Sequence, residues 1–166
     1  MQVMITDQQD AVKPDYAKLK KISAAIMTYL ELPSNSELSI LLCDDDFIQK
    51  LNNEHRHIDE ATDVLSFPMS EPGISKKIHV LGDVVISTET AIRQANNLKH
   101  HHMLEIIFLL IHGIVHLAGY DHETDEERDQ MKDLEMDVFK HLSDIKLLDD
   151  FSLFKILPLI KRIDET

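Results

Sequence analysis

The longest stretch without a charged side chain runs from Ile106 to Tyr120. It is shorter than the roughly 20 residues that a bilayer crossing needs, and it carries two histidines, so a central helix over Met103 to Leu117 is expected rather than a membrane span. The helical spacing stops at Leu117. Gly119 follows where a left-handed residue commonly ends a helix, and the chain can then turn back through Tyr120 and Asp121. His112 and His116 stand at i and i+4, on one helix face about one turn apart. The reversal after Gly119 frees His122 to join them. A single histidine on an apolar helix is more often a satisfied core residue; three at this spacing meet the demand of one ion at three points. Three protein ligands around zinc leave a fourth position for water, which is the pattern of catalytic rather than structural sites.

The rest of the chain reads as strands and helices in the order β-α-β-α-β-β-α-α-α. Strands are expected over residues 2–6, 37–43, 62–69 and 80–87. Helices are expected from Asp15 to Leu32, over Asp44 to Arg56, from Glu89 to Leu98, along the central segment, and in an acidic stretch opened by Thr124 with Glu127 three residues on, a capping box. Pro14 falls in the first turn of the first helix. Asp44 to Asp46 resemble a metal site, yet a cap with acids in the first helical turn explains them more cheaply. The fold class is α+β (mixed α/β): one mixed sheet of about four strands, helices on its faces, and the metal site at the end of the central helix. Residues 1–166 are expected to form a single domain, with 150–166, interrupted by Pro158, as an appended strap.

Composition narrows the partners. The net charge of −13 excludes coating of nucleic acid by bulk attraction, so a polyanion must find a local basic surface. The one cysteine, Cys43, ends an apolar strand and reads as a small core residue. MQVMITDQQD shows no basic segment followed by an apolar one, so no secretory signal and a cytoplasmic location are expected.

HGIVHLAGYDH has the spacing of the metzincin fingerprint H-E-x-x-H-x-x-G-x-x-H, but Gly113 stands where those proteases carry their glutamate base. Glycine cannot shuttle a proton, so peptide hydrolysis by that route is disfavoured. With upstream LNNEHR, TDVLSFPM and LGDVVIS, the segment resembles the YbeY family of bacterial single-strand endoribonucleases, over about Leu51 to Met131. The resemblance implies a zinc-binding endoribonuclease of mixed α/β fold that acts in maturation of the 16S ribosomal RNA 3′ end and in ribosome quality control. It implies one zinc per chain held by His112, His116 and His122. It also implies Arg56 as the basic residue facing the metal, and single-stranded RNA and the small ribosomal subunit with its proteins as partners. A planar guanidinium suits such a role, because it pairs with two phosphate oxygens at once.

Asp63 and Asp83 could each orient a ligand histidine or simply accept backbone hydrogen bonds at a strand end. Asp121 could do the former or form a turn. Lys50, Lys76, Lys77 and Lys99 are candidate RNA-binding residues, whereas His100 to His102 read as a helix start. From Asp121 to Asp137 there are nine acids and two bases, so this helix is expected to repel phosphate. Two further functions stay open on the residues: a ribosome-assembly factor whose metal is structural, and, less well supported, a metalloprotease-like hydrolase.

Overall fold

The structure is a computed structural model that describes residues 1–69 and 78–151. Its elements follow the expected order: β1 (Gln2–Asp7), α1 (Tyr16–Tyr29), β2 (Ser36–Cys43), α2 (Asp45–Arg56), β3 (Val64–Pro68), β4 (His79–Ser87), α3 (Thr88–Leu98), α4 (His102–Leu117) and α5 (Asp125–Asp144). The fold is α+β, with one mixed sheet in the order β1-β2-β4-β3. β1 and β4 both run parallel to β2, while β3 pairs antiparallel with β4. No single helix among the described residues is long and apolar enough to cross a membrane. The strap expected over 150–166 lies, from residue 152 on, outside the described residues.

Short side chains at the helix starts fix where each helix begins. Asp15 accepts from the Lys18 amide at 3.0 Å, so α1 starts at Tyr16 and Pro14 precedes the cap rather than occupying the first turn. Asp44 accepts from the Phe47 amide at 2.8 Å and caps α2. Asp45 reaches across to α3, where its carboxylate accepts from the Ser87 and Thr90 hydroxyls, each at 2.6 Å, and from Arg93 at 2.8 Å. Thr124 and Glu127 form the capping box of α5 reciprocally.

The sheet has two covered faces. On one, α1, α3, α4 and α5 pack around Leu38, Ile40, Val84 and Ile86; on the other, Ile48 of α2 packs with Cys43, Leu65 and Val85. Burial, followed by the charges of Asp44 and Asp45, pushes the Cys43 thiol up to about 12, so it stays protonated and is a core group rather than a nucleophile. α4 is the element around which the larger core forms. Every residue from Met103 to Leu117 is buried except His112 and His116, which keep partial exposure. A Cβ on Gly113 would lie 2.7 Å from Val84 Cγ1 and 3.2 Å from Ser66 Oγ, so glycine here lets α4 settle directly on the sheet.

Candidate metal centre

Two local features bring the histidines together. Helical period sets His112 and His116 with ring centroids 4.7 Å apart. α4 then closes with the Gly119 amide bonded to the His116 carbonyl and the Tyr120 amide to that of Val115, while Gly119 takes φ +102°. Nothing lies within 4 Å of a Cβ at Gly119, so glycine is required by the backbone angle and not by space. The reversed chain carries His122 to a centroid distance of 4.9 Å from His116 and 6.1 Å from His112. One nitrogen from each ring lies within 4.8 Å of the other two.

The donor set fits a metal. Nitrogens bound tetrahedrally to zinc at 2.0–2.1 Å stand roughly 3.4 Å apart, a spacing these rings reach by small rotations. His122, whose side chain is 54% exposed, has room to make them. Desolvation, with the neighbouring His112 and His122, pushes His116 down to about 4, which leaves it a neutral imidazole with a lone pair to give. His112 Nδ1 donates to Glu135 Oε1 at 2.5 Å, so Nε2 keeps the lone pair. Glu135 is 4% exposed, on the inner face of α5. Sequence reasoning missed it. Glu135 follows Met131 by four residues and precedes Val138 by three, so it is an acid inside the buried stripe of an otherwise solvated helix, and that was the available signal.

The histidines open into a cleft of about 660 Å³ that Arg56, Ser66 and Tyr120 also line. Arg56 is the last residue of α2; His57 ends that helix in the left-handed conformation, φ 58°. The following loop is held by Asn52 Nδ2, which donates to the Glu60 carbonyl at 2.9 Å. Arg56 makes no ion pair with a described residue, so its guanidinium is available to an anion in the cleft.

The remaining predicted residues divide. Asp63 lines the cleft; its carboxylate accepts from the Val64 amide at 2.8 Å and from Gln94 Nε2 at 3.0 Å. Asp121 also lines it and accepts from the His122 amide at 2.8 Å, a turn interaction that fixes the chain beside the third histidine. Asp83 is not brought to the histidines. Alternation along β4 turns Val84 toward α4 and Asp83 to the opposite face, into a groove with Phe47, Leu51 and Phe67. Lys50 and Lys99 line no part of the cleft, Lys99 being the left-handed residue that ends α3. Lys76 and Lys77 lie outside the described residues. In the histidine run, His101 caps α4 by accepting from the Met103 amide at 3.1 Å. His100 is fully buried at its side chain, 3.0 Å from Glu105. The run is a helix start, as expected, with His100 inside rather than exposed.

The family model described as Endoribonuclease YbeY matches residues 4–143. A protein named Endoribonuclease YbeY from Aquifex aeolicus is 44% identical over 142 residues, covering 85% of this chain and 91% of its own length. One of the same name from Carboxydothermus hydrogenoformans is 42% identical over 139 residues, 83% of this chain and 95% of the relative. The solution structure of a Thermotoga maritima protein superposes with a TM-score of 0.54 at 22% identity, covering 87% of this chain and 94% of that one, a likeness of fold.

Proposed function

The chain belongs to the YbeY endoribonuclease family, and we propose that it is a zinc-dependent endoribonuclease that cuts single-stranded RNA. The substrate assigned to it is small-subunit ribosomal RNA at the 16S 3′ end, in maturation and quality control. The small subunit and its proteins are then its partners and the cytoplasm its compartment. One observation carries the reading: three histidine nitrogens gather within 4.8 Å in an open cleft also lined by Arg56, which has no ion pair among the described residues.

Zinc, when bound by the three imidazoles, would supply Lewis-acid chemistry toward water or a phosphoryl oxygen. The chain's own residues do the rest. His112, His116 and His122 hold the ion, and Glu135 fixes the His112 ring and its tautomer through Nδ1. Arg56 pairs with the non-bridging oxygens of the scissile phosphate and offsets the charge that grows on them. No side chain at position 113 acts as a base, because the helix face there is pressed against Val84. That observation disfavours peptide hydrolysis by the metzincin route.

The test joins elemental analysis of the purified protein to RNA cleavage with and without chelator. Stoichiometric zinc and chelator-sensitive cutting are expected, Arg56→Ala losing turnover while keeping zinc, and His112→Ala losing cutting with the fold retained. Cleavage that persists in chelator would sink the zinc dependence, and unfolding of His112→Ala would sink the enzymatic reading in favour of a structural metal in an assembly factor. The end groups identify the nucleophile: a 5′-phosphate requires water, a 2′,3′-cyclic phosphate the ribose 2′-hydroxyl.

A further inference from the structure

A second hollow, of about 240 Å³, adjoins the cleft, and Asp63, Val64, His112 and His122 line both. Its own walls are Phe108 and Leu109 of α4 and Met131, Arg128 and Lys132 of α5. The two bases stand at i and i+4 and therefore share one face of the helix. Both line the hollow, whereas the exposed Asp129 and Asp133 line neither cavity. On this face of the acidic α5 two bases therefore stand together beside the histidines. Among the described residues Arg128 pairs only with Asp125 at 3.3 Å, across a contact whose carboxylate is 99% exposed, and such pairs hold weakly. Lys132, half-buried, forms no ion pair among the described residues.

The chemistry selects the occupant. Apolar walls suit the faces of a planar ring, and the carboxylates of Asp63 and Glu135 repel a phosphate from the interior. The bases can then meet the phosphate at the mouth. We propose that this hollow is a nucleotide subsite: it takes the base of one nucleotide next to the scissile phosphate, and Arg128 and Lys132 hold the phosphate beyond it. The subsite rests on the RNA-cleaving reading above. It gives the strand a direction across the metal centre, from Arg56 to α5.

The test uses the zinc-loaded protein and a short fluorescein-labelled single-stranded RNA, with binding read by anisotropy over a salt series. Arg128→Glu with Lys132→Glu is compared with Lys20→Glu plus Lys21→Glu, the same charge change on the exposed face of α1. Zinc content and melting temperature confirm that each variant is folded and loaded. Loss of two phosphate contacts makes the slope of log affinity against log salt shallower by roughly 1.4 for the α5 pair. The α1 pair keeps the native slope. An abasic nucleotide is then walked through the RNA; one position beside the cut, and no run of positions, weakens binding by roughly tenfold. A flat abasic scan, or α5 and α1 variants that bind alike, overturns the subsite even where zinc-dependent cleavage is intact. If wild-type protein shows both binding signatures but does not cut the RNA, the hollow stands as a nucleotide site, while the enzymatic reading and with it the placement beside a scissile phosphate fall.

Discussion

Replacing Glu135 with glutamine keeps an acceptor for His112 Nδ1 but removes the charge that makes the imidazole a stronger donor to a metal. Zinc affinity is expected to fall by roughly 10–100-fold, measured by competition with a chelating dye, while the melting temperature of the metal-free protein changes little. An unchanged zinc affinity would reduce Glu135 to a buried hydrogen-bond partner. The histidines themselves were legible because helical period and one glycine dictate their convergence, a purely local relation. Glu135 required knowing which face of α5 turns inward toward α4, a relation between elements distant in sequence. Gly113 was read for the side chain it lacks, but its physical reason lies in the sheet. Gly113→Ala forces a methyl to within 2.7 Å of Val84 Cγ1 and is expected to cost about 1–3 kcal/mol in urea melts. Val84→Ala costs stability by itself, yet in combination it makes room for that methyl. The double variant is therefore expected to be more stable than the sum of the two losses predicts, and strict additivity would show that the contact is not the cause.

Among the elements, order and type followed from periodicity, since alternation in β1 and a continuous apolar run in α4 are each produced by the local geometry they report. Pairing did not. The place of β4 between β2 and β3, and the bulge that shifts its register opposite Glu37 and Leu38, depend on contacts that sequence spacing does not encode. The acid triplet at Asp44 to Asp46 shows the same division. Its cap was legible, but the reach of Asp45 to Ser87, Thr90 and Arg93 was not. Burial alone would raise the Asp45 carboxyl, yet these three donors outweigh it and hold it below the ordinary carboxylate range. On acidification the unfolded chain therefore binds this proton first. The contribution is complete above the unfolded value of roughly 3.9 and fades as pH falls through the lower folded value. Asp45→Asn is expected to be less stable than the native chain by about 1–3 kcal/mol at neutral pH, with the gap narrowing toward pH 3. A gap that is constant with pH in urea titrations would exclude the ionised carboxylate as its source.

For the whole molecule, the decisive relation is that α4 is both the core helix and the bearer of two of the three clustered histidines. Its apolar residues pack with α1, α3, α5 and the sheet. Zinc bound as proposed would tie only the end of α4 to the reversed loop before α5. Under the proposed function, stripping it leaves the core intact and loosens that junction. Ligand that binds only the folded state stabilises it by about 2.7 kcal/mol at a hundredfold excess over its dissociation constant. For a chain of this length each kcal/mol moves the melting temperature by roughly 2–4 °C. Chelation is therefore expected to lower the melting temperature by about 5–10 °C, reversibly on adding zinc back, with the far-ultraviolet circular dichroism at 25 °C unchanged. Loss of that helical signal on chelation at 25 °C would mean that the metal organises the fold itself, and the protein would then be a metal-stabilised scaffold rather than an enzyme that borrows an ion for its chemistry.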